Sequence, residues 1–413
     1  MAASDEALPP SRIDWRRNLY ALWIAQLMTI VGFSMRTPFL PFFLEDIGAS
    51  DFSSQALWAG VINAGGAIVM AISAPIWGIV ADRRGRKLMV LRAMFMASFT
   101  VGLMSLATSP WHLLGLRFIE GGFTGTVGAS TTLIASTTPR RNRAFALGMM
   151  QTAVFSGSSA GPLIGGVLAD LIGYRPTFVV AGLLIFASAV IVLTQVREDF
   201  TPPEPAKPGE DNGPTTRSLL FGAAMLAMVG VMFALRAGNS AIQPIMPLFV
   251  EQLSGNGSAA TLSGIVLGIA GLTSAVSAVT LGRMADRVGH RRILIPTALA
   301  TAILYLPMAA AQAPWQLIII SALVGIAAGG VTPSANAVIS NLTPAARRGA
   351  IFGFTSAVTA MGGFVGPLGG AAIAAVFNIR LTFIVVSGLM ALGAIGVLLA
   401  IRSGVDLDAE GEE

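Results

Sequence analysis

The chain has 413 residues, of which 54% are hydrophobic and only 11% are charged, and its mean hydropathy is +0.74. A soluble domain carries about 25% charged residues, so this composition excludes an ordinary soluble protein, a disordered chain and a coiled coil. The absence of cysteine also excludes a disulfide scaffold. The long apolar runs do not alternate with polar residues, so they indicate helices and not the roughly ten-residue strands of a membrane barrel.

The sequence predicts an all-α integral membrane protein with twelve transmembrane helices. In chain order, the predicted spans are 17–45, 56–80, 88–108, 112–136, 144–168, 176–196, 217–250, 259–281, 293–312, 314–340, 350–374 and 379–400. The first 18 residues are polar and charged, and no A-x-A-like cleavage site precedes the first span. The first span is therefore predicted to be an uncleaved helix and not a signal peptide.

The distribution of arginine and lysine predicts the orientation. With the N-terminus placed in the cytoplasm, 21 basic residues fall on the cytoplasmic side and two, Arg175 and Arg380, on the outer side. Such a bias predicts that both termini are cytoplasmic. The pI of 10.4 then reflects loop anchors and not a nucleic-acid-binding patch. Arginine outnumbers lysine 24 to 2, which suggests a prokaryote and hence a location in the cell (inner) membrane.

The chain also contains an internal repeat. Five separate segments match across an offset of 204 to 206 residues, the longest being 37–45 with 243–251. Between the halves lies 200–217, rich in proline, glycine and charge, which is typical of a flexible linker. We therefore expect an N-terminal six-helix bundle (1–199), a cytoplasmic linker (200–217) and a C-terminal bundle with a short tail (218–413), with a pseudo-two-fold axis along the membrane normal. In such transporters, the substrate site lies between the bundles near the membrane midplane.

Three motifs resemble those of the major facilitator superfamily. Motif A follows span two and comprises Gly78, Asp82, Arg83, Gly85, Arg86 and Lys87; it returns after span eight as Gly282, Asp286, Arg287 and Gly289. Arg117-x-x-x-Gly121 in span four resembles motif B. Motif C, the signature of the antiporter branches, matches 157–166 in span five, with Gly157, Gly161, Pro162 and Gly165, and 362–370 echoes it. Together with the opening segment 14–19, these residues make the chain similar to the twelve-span drug:proton antiporter family 1, specifically its MdtG-like multidrug efflux branch.

The resemblance implies a secondary transporter that exports amphipathic drugs or toxic compounds by proton antiport with alternating access. It also implies that the motif A loops form a charge latch that holds the outward-facing state. A basic loop that serves topology alone would explain the cations but not Asp82 or its repeat at Asp286, so the latch is favoured. The motif C glycines at i, i+4 and i+8 predict close approach of a neighbouring helix, and Pro162 predicts a bend. Whether that contact seals a transport path or only packs helices stays open. A lipid or amphiphile translocator, and a solute uniporter or importer on the same scaffold, are the alternative functions.

Of the 21 acidic residues, only Glu120 lies in the interior of a predicted span, since Glu45 sits at the outer end of the first span. A charge at membrane depth is costly and is a functional candidate by default. Arg117 lies three residues earlier and shares its helix face. The pair is predicted to couple transport to proton uptake and release; the alternative is a permanent ion pair that fixes span four. Many drug antiporters carry an acid in span one, where this chain has Arg36, so Glu120 is inferred from charge alone.

With the basic residues near span ends counted with the loops, Arg36 and Arg236 are the other two basic residues placed within predicted spans. If they face the substrate cavity, they favour anionic or zwitterionic substrates; alternatively they extend to the interface or pair with Glu120. Further polar candidates for the cavity are Asn63, Gln151, Asn239, Gln243 and Asn336, each of which could instead form an interhelical hydrogen bond.

The sequence predicts neither an enzyme nor a cofactor. No phosphate-binding loop precedes a span, so ATP is not the direct energy source. Two histidines and no cysteine make a metal site improbable. The expected partners are a small amphipathic substrate, protons and the lipid bilayer, with no nucleic acid, and the protein is expected to be a monomer.

Overall fold

The computed structural model describes residues 14–123, 125–200, 223–255, 258–343 and 348–402. These residues form fifteen α-helices and contain no strand. The helices are α1 Trp15–Met35, α2 Leu40–Asp46, α3 Phe52–Arg84, α4 Arg86–Leu103, α5 Pro110–Phe123, α6 Thr126–Thr137, α7 Arg143–Ile172, α8 Tyr174–Gln195, α9 Ala223–Ile242, α10 Met246–Ser254, α11 Ala259–Val288, α12 His290–Ala309, α13 Pro314–Asn341, α14 Arg348–Val376 and α15 Ile379–Arg402. Two 3₁₀ turns, Met104–Leu106 and Arg140–Asn142, join neighbouring helices.

Eleven of the described helices are long and apolar enough to cross a membrane, and α5 followed by α6 forms the twelfth crossing. Two predicted spans, 17–45 and 217–250, are each divided into a long and a short helix. The first contains α1 followed by the short helix α2, and the second contains α9 followed by the short helix α10. Proline explains both stops, because Pro38 and Pro244 lack the N–H that would continue the helix, and a second proline begins each short helix. Residues 217–222 lie outside the described ranges.

The predicted span 112–136 is broken in its middle. The helix α5 ends at Phe123 and α6 begins at Thr126, with Gly125 at a φ of 127°. The break frees carbonyl groups, and two side chains satisfy them. The indole of Trp77 donates to the Gly122 carbonyl (2.6 Å), and the Arg92 guanidinium donates to the Phe123 carbonyl (3.2 Å) and lies 3.5 Å from the centre of the Trp77 ring. The corresponding helix of the second half, α13, is continuous.

Equivalent contacts in the two halves show that the repeat is structural. Arg175 donates to the Ser105 carbonyl at 2.6 Å and lies over the ring of Phe43 at 5.4 Å. Arg380 donates to the Ala309 carbonyl at 2.7 Å and lies over the ring of Phe249 at 5.6 Å. The two arginines thus anchor corresponding helix ends in the same way.

The two halves meet mainly along two helix pairs, α7 with α11 and α3 with α14. In the first pair, Gly264 faces the Pro162 carbonyl and Gly166 faces Ala260. In the second pair, Gly60 packs against residues 367–371, and the Ser53 hydroxyl donates to the Ala375 carbonyl at 3.1 Å. All these contacts lie near the end of the molecule that carries α2 and α10, which we name the closed end.

At the opposite end, which we name the open end, the same helices separate. In the second half of α3, the consecutive residues 74–76 are exposed together with Ile72 and Ile79. Consecutive exposed positions span most of the helix circumference. A helix packed against a neighbour on one side would instead have a buried residue at every third or fourth position. In α11, Val276 and Val279 are likewise exposed. The space between the halves is therefore accessible from the open end and blocked at the closed end.

Candidate functional site

The Glu120 carboxylate binds two arginines. Arg117 Nη1 donates to Oε1 at 2.6 Å, and the two terminal nitrogens of Arg36 donate to the two carboxylate oxygens at 3.1 Å each. The three side chains are 5%, 12% and 11% exposed, respectively. Two cations therefore share one carboxylate, and the cluster carries one net positive charge.

Local structure positions these side chains. Arg117 and Glu120 are three residues apart on α5 and share its face. Arg36 is the residue at which α1 ends. Glycine makes room on α3, since a Cβ at Gly66 would lie 3.0 Å from the Arg117 guanidinium. Gly121 faces the Gly66 backbone, so α5 approaches α3 closely enough to bury the pair.

A cavity of about 200 Å³ lies beside the cluster. Its lining residues come from α1 to α3, from α5, and from the segment between α9 and α10 in the other half: Phe33, Ser34, Arg36, Thr37, Leu40, Pro41, Asn63, Arg117, Gln243 and Pro244. The cavity is thus shared by the two halves. Glu120 is not among the lining residues and lies behind the two arginines.

The structure brings together part of the predicted site. Arg36, Arg117, Asn63 and Gln243 line the cavity, and the Asn63 amide also donates to the Ala59 carbonyl of its own helix at 2.8 Å. The remaining polar candidates are not among its lining residues; Gln151, Asn239 and Arg236 are exposed, and Asn336 is partly buried.

Arg236 lies on α9 against two glycines of α14. A Cβ at Gly363 would lie 3.3 Å from its Nε, and a Cβ at Gly362 would lie 3.3 Å from its Cβ. Within the described ranges its guanidinium has no hydrogen-bond or ion-pair partner. It therefore does not pair with Glu120, whereas Arg36 does so within its own half.

Several cavity residues were not predicted, notably Phe33, Thr37 and Pro244. Thr37 and Pro244 belong to the repeated segments 37–45 and 243–251, whose prolines stop α1 and α9. A helix that stops inside the membrane region can present its last residues to a cavity. The paired prolines in these two segments were the sequence signal that could have identified Thr37 and Pro244 as cavity residues.

In motif A, a carboxylate outside the motif binds the loop. Glu198 accepts hydrogen bonds from the backbone N–H groups of Arg86 (3.0 Å) and Lys87 (2.7 Å), at the start of α4. Gly85 has a φ of 94°, which favours glycine, and its equivalent Gly289 has a φ of 96°. The side chain of Asp82 lies outside the described part, so the predicted latch stays a prediction there.

The second motif A loop carries exposed charged side chains. The Asp286 side chain is 72% exposed and lies 3.9 Å from His290. The cations Arg83 and Arg287 are also exposed. In this conformation the loop therefore lies at the accessible end of the molecule.

The motif C glycines form one helix face, as their spacing predicts. Gly157, Gly161 and Gly165 face α1 at Leu27, Val31 and Met35, respectively. The echo at Gly362, Gly366 and Gly370 faces α9 in the same manner. Pro162 and Gly166 lie on another face and contact α11. Motif C therefore packs its own half and also joins the two halves at the closed end.

The part of the chain that the structure describes contains no group of three or more histidine or acidic residues that could hold a metal ion. The buried polar chemistry of the site consists of the guanidinium–carboxylate cluster and neighbouring amides and hydroxyls.

The profile of the Major Facilitator Superfamily matches residues 22–274 and 228–411. The chain belongs to the major facilitator superfamily. Its similarity to the multidrug resistance protein MdtG of Serratia proteamaculans is 34% identity over 377 residues, covering 91% of this chain and 92% of the relative. MdtG of Rahnella sp. is 33% identical over 385 residues, covering 93% of each chain. These relatives place the chain in the MdtG-like branch of the superfamily.

The fold is also that of solved superfamily members. A bacterial homologue of the human lysosomal transporter Spinster, in an inward-facing and occupied conformation, superposes with a TM-score of 0.75 at 16% identity, covering 93% of this chain and 96% of that one. Membership in this superfamily makes the chain a multi-pass membrane transporter and not an enzyme.

Proposed function

We propose that this protein is a secondary multidrug transporter that exports amphipathic compounds across a bacterial inner membrane in exchange for protons. The names of its MdtG relatives support the substrate class. The observation that carries the proposal is the buried Arg36–Glu120–Arg117 cluster beside a cavity shared by the two halves. Ionisable groups at membrane depth mark ion and substrate paths.

Proton coupling is assigned to Glu120 and Arg117, with Arg36 as the second cation. The carboxylate is buried and depends on both guanidinium groups for compensation. A rearrangement that withdraws either arginine leaves a poorly compensated carboxylate in a low-dielectric site, and such a group binds a proton. Proton release follows when the arginines return.

Both termini are proposed to lie in the cytoplasm, so the closed end faces outward and the structure is inward-facing. The halves are proposed to be 1–199 and 218–413, joined by the linker 200–217, in a functional monomer. Rocking of the halves would open the closed end and bring together the open end, where Asp82 and Asp286 of the motif A loops would form interhelical contacts.

The test uses energised inside-out vesicles whose pH gradient is reported by quenching of a dye. Cationic, zwitterionic and anionic amphiphiles are added to vesicles that contain the native protein, Glu120→Gln, or the control Asp46→Asn, which replaces an exposed aspartate of α2. We expect a compound to dissipate the gradient with the native and control proteins and not with Glu120→Gln.

An equal response of the native protein and Glu120→Gln would place coupling elsewhere and make Glu120 a structural ion pair. No response to any compound would contradict proton antiport and favour a uniporter or a lipid translocator.

A further inference from the structure

We propose that Arg236 binds the anionic group of the substrate, so that the transporter selects amphipathic compounds that carry a carboxylate, sulfonate or phosphate group. The inference deepens the proposed function and rests on it only in taking the space between the halves as the substrate path. It places the anion on the second half of the protein, and the anion binds while Glu120 remains ionised.

Arg236 is a cation inside the membrane-spanning part of α9, and its own half offers no carboxylate at that depth. The only acids of residues 223–402 are Glu251 and Asp286, which lie at the closed end and at the open end. Glu120 of the first half is already shared by two other arginines. Within the residues that the structure describes, the Arg236 guanidinium has neither a hydrogen-bond nor an ion-pair partner. A charge at this depth is costly without compensation, and an anionic ligand can supply it.

Arg236 shares one face of α9 with two amides. Asn239 and Gln243 follow at i+3 and i+7, a spacing that places side chains on the same side of a helix. Helical geometry extends to Gln243, whose N–H donates to the Asn239 carbonyl at 3.2 Å. Gln243 lines the cavity that the two halves share, and Arg236 and Asn239 are exposed. Other sides of α9 pack against α14 and α15. The polar face therefore looks into the space between the halves.

Guanidinium groups of the two halves lie at the same depth in this space. Gly60 of α3 packs against residues 367–371 of α14. The Arg117 guanidinium contacts α3 six residues further toward the open end, and the Arg236 guanidinium contacts α14 four to eight residues further in the same direction. Since a helix rises 1.5 Å per residue, the two displacements are about 9 Å and about 6–12 Å. A ligand at this level meets positive charge on both sides.

Glycine keeps one edge of the Arg236 guanidinium clear. A Cβ at Gly363 would lie 3.3 Å from Nε, 3.5 Å from Nη2 and 3.8 Å from Cζ. Because Cζ is the most distant of the three atoms, that Cβ would sit at the edge that carries the Nε and Nη2 hydrogens. Two parallel N–H groups of this kind bind the two oxygens of a carboxylate or of a related anion. The bare backbone at Gly363 therefore leaves room where such a group would bind.

Export of an anion agrees with exchange for protons. Arg236 itself supplies the counter-charge, so the anion needs no proton in order to bind, and Glu120 stays available for the proposed coupling. In a cell whose interior is negative, an anion that leaves and a proton that enters both move with the membrane potential. A cationic compound would instead be repelled by the guanidinium groups on both sides of the space.

The test measures binding to the purified full-length protein by isothermal titration calorimetry, with a titration into protein-free detergent subtracted. The probes share one ring system: the anion naphthalenesulfonate, the neutral naphthalenesulfonamide and the cation naphthyltrimethylammonium. We expect the sulfonate to bind about tenfold or more tightly than the sulfonamide, because hydrogen bonds to charged groups are the stronger ones, and the cation to bind most weakly. Neither arginine nor a sulfonate titrates between about pH 6 and pH 8. The sulfonate should therefore bind without proton uptake, measured in buffers of different ionisation enthalpy.

Matched variants locate the site. Arg236→Gln should weaken sulfonate binding by about ten- to hundredfold, as expected for loss of a charge-assisted hydrogen bond, and should leave sulfonamide binding unchanged, which also shows that the variant is folded. Arg197→Gln removes the same charge from an exposed position at the open end and should bind like the native protein. Gly363→Ala should weaken sulfonate binding, whereas Gly369→Ala, on the same helix with open surroundings, should not.

Four results would overturn the proposal: no binding of the sulfonate by the native protein, unchanged sulfonate binding by Arg236→Gln, an equal loss in Arg197→Gln, or proton uptake with the sulfonate. The last result would place the anion on the cluster around Glu120 instead. A failure of proton exchange in vesicles would leave all these affinities as expected, so failure of the proposed function and failure of this inference are distinguishable.

Discussion

The carboxylate of Asp170, at the end of α7, accepts a hydrogen bond of 2.8 Å from the backbone N–H of Thr261, at the start of α11. The first N–H groups of a helix have no partner within the helix and favour a negative group. The bond crosses from one half of the protein to the other. It therefore belongs to the conformation in which the closed end is sealed, and it breaks when the halves separate there.

The first prediction concerns access to the space between the halves. The chain has no cysteine, so a single cysteine can be introduced without removing others. Ile76→Cys and Val276→Cys replace exposed residues of the open end and should react rapidly with a water-soluble maleimide. Ser263→Cys replaces a fully buried residue of the closed end and should react slowly. The labelling rates in detergent check this, and equal rates at both ends would contradict the described conformation.

The second prediction concerns the contact between α7 and α11. In Gly166→Ala, the added methyl group would collide with the Ala260 backbone of the other half. Overpacking costs about 1–3 kcal/mol, and here the cost applies to the conformation in which the closed end is sealed. We expect Ser263→Cys to be labelled several-fold faster in this background. Gly148→Ala changes a glycine of the same helix whose surroundings are open and should leave the rate unchanged.

The third prediction concerns Arg36. Arg36→Gln deprives Glu120 of two hydrogen bonds but leaves Arg117 as its counter-ion, so the loss should be smaller than the about 3–5 kcal/mol of breaking a whole buried ion pair. We expect a lower midpoint of thermal unfolding in detergent. Glu120→Gln leaves two buried guanidinium groups without a counter-ion, so its midpoint should be lower still, and adding Arg36→Gln to it should recover part of that loss because one of the two is removed. Arg236→Gln removes an exposed arginine and should change the midpoint little.

The fourth prediction concerns the first motif A loop. Gly85→Ala forces a residue with a Cβ into a φ of 94°, and that Cβ would lie 3.1 Å from the Glu198 carboxylate. Backbone strain of this kind costs about 1–3 kcal/mol. We expect lower thermal stability than for Gly78→Ala, since Gly78 belongs to the same motif and its surroundings are open. Similar losses for the two variants would contradict the assigned role of Gly85.

The fifth prediction concerns pH at the closed end. Burial and the nearby carboxylate of Glu45 raise the pKa of Glu251 above its usual value of 4.5. A carboxyl group whose pKa is raised in one conformation favours that conformation when protonated and loses the effect as pH rises through the raised value. The labelling rate is expressed relative to that of free cysteine at the same pH, because every thiol reacts more slowly as its thiolate is protonated. Acidification from neutral pH should lower this relative rate for Ser263→Cys. Glu251→Gln should remove most of the pH dependence of the relative rate, and an unchanged dependence would contradict the assignment.

Much of the fold follows from the sequence because lipid restricts the backbone to long hydrogen-bonded helices. Composition, charge bias and the repeat predicted twelve crossings, and the matched contacts of Arg175 and Arg380 bear out the duplication. The break at Gly125 was not predicted. The break is stabilised by hydrogen bonds from Trp77 and Arg92, which belong to other helices, and a hydropathy profile cannot predict such tertiary contacts.

The site was predicted less completely. The spacing of Arg117 and Glu120 placed them on one face, because residues three positions apart on a helix are neighbours. The double contact of Arg36 with Glu120 joins residues 84 positions apart and depends on how α1 packs against α5. The sequence likewise could not place Arg236, since the side of a helix that faces a cavity is set by its neighbours. The role of Glu198 was missed because it lies outside every motif.

The interrupted span four makes the two halves mechanically unequal. Because α5 and α6 are joined at Gly125 by side-chain hydrogen bonds and not by a continuous helical ladder, the segment beyond Gly125 can tilt while α5, with Glu120, keeps its place. The α13 helix has no such break, although Pro333 in its interior removes one backbone hydrogen bond. We therefore expect the first half to bend more than the second during transport, so that a nearly symmetric architecture follows an asymmetric trajectory.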